Sequence, residues 1–415
     1  MEKFAGYQCT LCGATYDPDF GEYVCPKDGG NLDVVMDFDT IKRQNPIENI
    51  LNSKDQSIWR YLPWIPIKSP VGVQTPMQFV GGTPMFLHPQ GRSFGIKQLF
   101  IKDESRNPTA SFKDRASAIV VQRARELNAE VVITASTGNA GAALAGISAA
   151  IGQRSVIFAP RTAPPAKIAQ LLVFGSRVIL VDGTYDDAFD LSIQATQEFG
   201  WYCRNTGYNA FTIEGKKTAS FEIWESLYRD QGSLPVECSK LSILVSVGDG
   251  NIISGIHKGF KDLFAMGLID VVPRIIGVQS ENSAAVSNAF HAKTETITPV
   301  RATTIADSIS VDLPRDGIRA IRAASQTGGT YILVKDEEII QAIPQLGKFG
   351  IFAEPAGATA FAGFLKARDI NLFGTEDRVV VINTGSGLKD VNTAMKSVQP
   401  APIIQPILSE LKKLI

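Results

Sequence analysis

Histidine is scarce in this chain: only His88, His257 and His291 occur in 415 residues. None stands at a spacing that suggests a metal site or a hydrolase triad, so each reads as an ordinary surface or satisfied residue. Five cysteines in a chain of this length imply no disulfide framework, and Cys203 and Cys238 read as core or surface thiols. No charge of one sign dominates. With 41 Lys and Arg against 42 Asp and Glu, and no basic arm, there is no electrostatic case for a nucleic-acid or membrane partner. No stretch approaches the roughly 18 uninterrupted apolar residues of a membrane span. The start Met1-Glu2-Lys3-Phe4-Ala5-Gly6 lacks the long apolar core of a signal peptide, so the expectation is a cytoplasmic protein. Internal repeats and low-complexity tracts are missing as well.

What the chain does have is an alternation of apolar strands with amphipathic helices, long enough for two or three domains. Strands are expected at 99–102, 131–134, 156–159, 178–181, 241–245, 275–278, 331–334 and 379–382. Such alternation means mainly parallel sheets covered by helices. Residues 36–80 read as irregular, with Trp59 and Trp64 among prolines as a segment wrapping the body or forming an interface.

One lysine stands out within Asn107-Pro108-Thr109-Ala110-Ser111-Phe112-Lys113-Asp114-Arg115. Asn107-Pro108 breaks the preceding strand, Thr109 or Ser111 can cap the next helix, and Phe112, Ala116, Ile119 and Val120 recur at helical spacing. Lys113 therefore falls in a first helical turn at the edge of a core, where partial desolvation can lower an amine's pKa enough for covalent catalysis. A solvated surface lysine is the plain alternative. Three more strand-to-loop junctions carry polar chemistry. Ala135-Ser136-Thr137-Gly138-Asn139-Ala140-Gly141 has the strand-turn-helix setting of an anion or carboxylate site. Val247-Gly248-Asp249-Gly250-Asn251-Ile252 follows a strand and opens a helix, so its backbone N–H groups can cradle a phosphate without being a Walker loop. Ile382-Asn383-Thr384-Gly385-Ser386-Gly387 places hydroxyls and glycines at a third strand end. Each of these, taken singly, also fits an ordinary capped turn.

Taken in order, these motifs resemble the fold-type II enzymes that use pyridoxal 5'-phosphate, and among them the threonine synthase branch. The resemblance runs from Gly81-Gly82-Thr83-Pro84 through Lys113, Ser136-Thr137-Gly138-Asn139, Ile213-Glu214-Gly215-Lys216-Lys217-Thr218 and the Gly248 loop to Phe352-Ala353-Glu354-Pro355-Ala356 and Thr384-Gly385-Ser386-Gly387-Leu388-Lys389-Asp390. It implies a tryptophan synthase β-like α/β fold of two domains with parallel and mixed sheets, in a homodimer. A small α/β domain would span 115–205, inserted in a large cofactor-binding domain of 36–114 and 206–415, behind a zinc-ribbon-like segment at 1–35. It also implies that Lys113 is the Schiff-base lysine and proton shuttle, and that Asn139 partners the cofactor's phenolic oxygen. Gly248, Asp249, Gly250, Asn251 and Ile252 would hold its phosphate, Thr384 its pyridine nitrogen, and Ser136 and Thr137 the carboxylate of a small amino-acid substrate.

Three departures bear on that substrate. Where the family often has an arginine that grips a substrate phosphate this chain has Thr212, leaving Lys216, Lys217, Arg106 or Arg115 for the task. Thr304-Ile305-Ala306-Asp307-Ser308 resembles the threonine dehydratases, and Ser386 replaces a histidine common in the synthases. The resemblance favours conversion of O-phosphohomoserine and water to threonine and phosphate. The alternatives are a β-eliminating threonine or serine dehydratase and a silent binding relic. At the amino terminus, Cys9-x-x-Cys12 and Cys25-Pro26-Lys27-Asp28 form a ribbon pattern with aspartate in the fourth position. Three thiols and a carboxylate can hold zinc, but closed structural sites are usually Cys₄ or Cys/His. The preferred reading is a degenerate ribbon that keeps its turns by packing, with no metal.

Overall fold

The computed structural model describes residues 3–68, 70 and 74–415. A six-stranded sheet forms the centre of one lobe, in the order Thr330–Val334, Arg274–Ser280, Leu241–Ser246, Arg378–Asn383, Gln98–Asp103 and Met85–Leu87. All pairs are parallel except the edge strand Met85–Leu87. A second sheet, wholly parallel, has the order Arg177–Val181, Arg154–Pro160, Val131–Ala135 and Tyr202–Cys203. The central strands are apolar on both faces: Leu241–Ser246 and Val131–Ala135 are buried at every position, as strands sandwiched between helices must be. All eight strands expected from the apolar runs are present, most extended by a residue or two.

The chain leaves the first sheet after Gln98–Asp103, builds the second, and returns at Leu241–Ser246. The helix Lys113–Glu126 carries it across and packs on Phe211–Lys216, where a Cβ on Gly215 would meet the Arg115 carbonyl oxygen at 2.1 Å. Glycine at 215 is therefore what allows the two backbones to touch. Beside this contact lies a fully buried ion cluster. Arg115 reaches Glu104 at 2.6 and 2.8 Å and Glu222 at 2.7 Å through each terminal nitrogen, and Lys102 meets Glu222 at 2.6 Å.

Residues 36–80 are more regular than expected. Phe38–Gln44 and Ile47–Leu51 are short α-helices and Ile58–Trp64 is a 3₁₀ helix. Trp59 and Trp64 are buried: the Trp64 ring lies 5.2 Å from Phe221 and 5.7 Å from Trp224, and Tyr61 donates to Glu225 at 2.7 Å. The prolines break long helices, and the aromatic rings recover that loss by covering the helix Thr218–Gln231.

The amino-terminal ribbon is a three-stranded antiparallel sheet, Thr15–Tyr16, Phe4–Cys9 and Leu32–Met36, with Cys9 opposite Leu32. It is fastened to the body by polar side chains. Asn31 donates to the carbonyls of Gly207 and Arg315, and Lys258 donates to the Val34 carbonyl at 2.7 Å. Arg319 spans from Asp33 of the ribbon, 2.6 Å, to Asp316 of the body, 2.5 Å. No helix among the described residues is long and apolar enough to cross a membrane.

Candidate active site

Four loops at the carboxyl ends of parallel strands converge on a cleft of about 500 Å³ between the two sheets, the place where open α/β sheets bind ligands. The residues expected to meet the cofactor and the substrate carboxylate all line it: Lys113, Ser136, Thr137, Asn139, the run Gly248 to Ile252, and Thr384.

Lys113 is the first residue of its helix. The turn before it is sewn to the loop after Arg378–Asn383, since Phe112 N–H donates to the Thr384 carbonyl at 2.9 Å and Ser386 N–H to the Ala110 carbonyl at 3.1 Å. Lys113 and Thr384 thus share one rigid hydrogen-bonded unit despite their distance in sequence. Phe112 holds the cap position and offers no side-chain cap, while the expected Ser111 hydroxyl accepts from the Lys113 N–H at a long 3.4 Å. Thr109 instead donates its N–H, at 2.6 Å, and its hydroxyl to the Asp114 carboxylate, a stronger acceptor than a neutral group. Burial lowers the Lys113 amine to about 8; Arg204 acts in the same direction, while Asp249 and Glu354 oppose it. Such an amine is neutral often enough near physiological pH to act as a nucleophile or base.

Asn139 opens the helix Asn139–Ala150 and donates to Glu354 Oε1 at 2.7 Å, with Ser308 Oγ at 3.4 Å. Burial raises Glu354 to about 7, against the Asn139 hydrogen bond and nearby lysines. At Gly250 the backbone turns with φ +88°, and an added Cβ would stand 2.6 Å from the Asp316 carbonyl oxygen. Only glycine lets the loop enter the helix Asn251–Ala265 this tightly, leaving first-turn N–H groups for an anion. The Asn251 side chain is engaged on the body side: it donates to Asp316 at 2.8 Å and accepts from Thr212 at 3.1 Å and from the Lys216 ammonium. Its contribution to the cleft is therefore its backbone. Ser386 likewise spends its hydroxyl on the Leu388 N–H at 3.3 Å.

The four suggested phosphate grips separate cleanly. Arg115 is spent in the buried ion cluster, Arg106 pairs with Asp103 at 3.0 Å, and Lys217 pairs with Glu214 and Asp262 at 2.6 and 2.8 Å. Lys216 alone lies behind the cleft, on Asn251, and its amine is pushed well below the usual lysine range, by burial first and by Lys113 second. The sequence reading missed Arg204, which follows the short strand Tyr202–Cys203. It is fully buried, donates to Ser117 at 3.2 Å and Thr206 at 2.8 Å, and leaves Nη2 without a hydrogen-bond partner. Burial lowers it to about 10, and its only sequence signal is the strand end. Across the mouth, Arg315 meets Asp186 at 2.7 Å, Lys389 meets Gln170 at 3.2 Å, and Lys167 pairs with Asp307.

Comparison with known proteins bears directly on this arrangement. The model of the pyridoxal-phosphate dependent enzyme family matches residues 76–385. The chain belongs to that family. The threonine synthase of Methanocaldococcus jannaschii is 36% identical over 412 residues, and that of Methanosarcina acetivorans 34% identical over 413, each alignment covering 98% of both chains. Among solved structures, threonine deaminase isoform 2 from Solanum lycopersicum superposes with a TM-score of 0.65 at 22% identity, over 84% of this chain and 94% of that one. Maize serine racemase gives 0.64 at 22%, over 76% and 91%. These two establish the fold. The enzyme is a pyridoxal-phosphate-dependent lyase, threonine synthase-like in function.

Proposed function

We propose that the enzyme converts O-phosphohomoserine and water to threonine and phosphate. What carries this reading is similarity to threonine synthases from end to end, ribbon included, at 98% coverage of both chains. The residues in the cleft fit the cofactor: a glycine loop at a helix amino terminus for its phosphate, a lysine lowered to about 8 for its carbonyl carbon, and Asn139 and Thr384 for the two polar ends of its ring. Bound there, pyridoxal phosphate supplies the electron sink that acidifies hydrogens on the substrate carbons.

The protein supplies everything else. Ser136 and Thr137 orient the substrate carboxylate at the start of the helix Asn139–Ala150, whose dipole favours an anion. Lys113 Nζ takes the proton from the substrate Cα, moves protons at the neighbouring carbons as phosphate leaves Cγ, and returns one as water adds at Cβ. Glu354, raised to about 7, holds the Asn139 amide in place. Among the described residues Arg204 and Lys216 form no ion pair with a carboxylate, so the unpartnered Arg204 nitrogen and the Lys216 amine are donors suited to a phosphorylated substrate beside a phosphorylated cofactor. A cytoplasmic homodimer completes the proposal, on the family resemblance.

A second reading has one observation in its favour: Asp307 and Ser308, from the dehydratase-like segment, line the cleft while Thr212 replaces an arginine. One assay separates the two. Cofactor-loaded enzyme given O-phosphohomoserine is expected to release phosphate and threonine, with KM raised at least about tenfold in Arg204→Met. Formation of a 2-oxo acid from threonine or serine, without phosphate release, would establish the dehydratase.

A further inference from the structure

Far from the cleft, the ribbon folds Cys9, Cys12, Cys25 and Asp28 so that one ligand atom from each lies within 4.8 Å of all the others. The sequence reading preferred a metal-free ribbon because the fourth ligand is a carboxylate. The geometry reverses that preference. Zinc binds thiolate at about 2.3 Å and carboxylate oxygen at about 2.0 Å, so a regular tetrahedron has S···S edges of about 3.8 Å and S···O edges of about 3.5 Å. Cys12 Sγ and Cys25 Sγ are 3.7 Å apart, and Cys9 Sγ lies 3.3 and 3.5 Å from the two Asp28 oxygens. A disulfide requires about 2.05 Å, and all five cysteines are free. We propose that Cys9, Cys12, Cys25 and Asp28 bind one structural zinc ion.

The surroundings are those of a metal knuckle rather than of a loose turn. Each half of the site is a tight backbone turn: Gly13 N–H donates to the Cys9 carbonyl at 3.1 Å, and Gly29 N–H to the Cys25 carbonyl at 2.8 Å. The ligands receive outer hydrogen bonds that orient them and stabilise their anionic forms. Leu11 N–H donates to Cys9 Sγ at 3.3 Å, Gly30 N–H to Asp28 Oδ1 at 2.8 Å, and the Tyr16 hydroxyl lies 3.0 Å from Cys25 Sγ. Cys9 and Cys25 are buried while Cys12 and Asp28 face solvent, which gives the ion a way in. Four protein ligands close the coordination shell, so the centre has no open position for a substrate. Three thiolates and one oxygen around a tetrahedron suit zinc and not magnesium or calcium, which take oxygen shells of higher coordination. Binding displaces the thiol protons, and the metal would pin the turns at the end of the ribbon away from Phe4, Leu32, Val34 and Met36, which join the core of the body.

The test is metal content of the full-length holoenzyme after exposure to zinc and exhaustive dialysis. One equivalent of zinc per chain is expected, lost in Cys12→Ser, whose exposed side chain leaves the packing intact, and in Cys25→Ser. Asp28→Cys guards against misfolding as an explanation, because it completes a Cys₄ set and should bind zinc more tightly than the parent. Cobalt substitution should then show sulfur-to-metal charge-transfer absorption growing in proportion from three thiolates to four. A zinc-free parent, zinc retained in both serine variants, or a cobalt spectrum unchanged by Asp28→Cys would overturn the assignment.

Discussion

Replacing Arg115 by methionine separates two roles that the sequence alone leaves open, a grip on substrate and a strut in the core. The guanidinium makes six charge-assisted contacts, four of 2.6 to 2.8 Å to the carboxylates of Glu104 and Glu222 and two of 3.0 Å to the hydroxyls of Thr83 and Thr218. Two of these partners differ in what remains to them. Glu222 keeps Lys102 at 2.6 Å, whereas Glu104 forms no other ion pair among the described residues. The variant therefore leaves one fully buried carboxylate with only the neutral donors Thr83 at 2.6 Å and Asn107 at 2.9 Å, and breaking a buried pair from one side costs about 3–5 kcal/mol. Since about 1.4 kcal/mol is a factor of ten, the folding constant should fall by two to three and a half orders of magnitude. Denaturant unfolding followed by tryptophan fluorescence reads this well, because Trp224 lies on the helix that carries Glu222 and the Trp64 ring sits 5.7 Å from the Trp224 ring. KM for O-phosphohomoserine should stay unchanged. A stability loss below about 1 kcal/mol together with a raised KM would refute the strut and return Arg115 to the substrate.

Two further outcomes follow from the cleft. The Lys113 amine is lowered to about 8, so its neutral, nucleophilic form grows as pH rises through that value. The rate at which the cofactor-free enzyme captures pyridoxal phosphate, followed by absorbance, should climb with a midpoint near 8 and then level; a climb continuing to the ordinary lysine range near 10.5 would contradict the desolvated site. Gly250→Ala should weaken cofactor affinity by on the order of tenfold, since a left-handed residue with a Cβ costs about 1–2 kcal/mol and this Cβ meets the Asp316 carbonyl oxygen at 2.6 Å. Titration of the cofactor-free variant measures it, and parent-like affinity would show that the loop does not hold the phosphate.

The parts of the fold legible in the sequence are those whose burial leaves a continuous trace. Val131–Ala135 and Leu241–Ser246 are buried throughout and read as unbroken apolar runs. Tyr202–Cys203 and Met85–Leu87, at sheet edges and two or three residues long, have no period to detect. The helices between 36 and 64 were hidden by prolines that limit their length without abolishing them. In the site, Lys113, Asn139 and the Gly248 loop announce themselves because each sits at a strand-to-helix junction with its own local chemistry. Glu354 and Arg204 do not, since their roles come from what packs on them: Asn139 from another lobe in one case, an unpartnered nitrogen in a closed interior in the other. The opposite error befell Arg115, whose position near Lys113 suggested substrate while its side chain points into the core.

The link Asp33–Arg319–Asp316–Asn251 runs from the ribbon to the first residue of the helix beneath the glycine loop. A catalytic fragment trimmed to the family-matching residues 76–385 would lose Asp33, opening the outer end of Arg319 to solvent and leaving Asp316 as its remaining ion-pair partner among the described residues. The ribbon is thus a keystone and not a detachable ornament: among the described residues it lends no side chain to the cleft, yet a strand near the start of the chain braces from outside the helix that opens after Gly250.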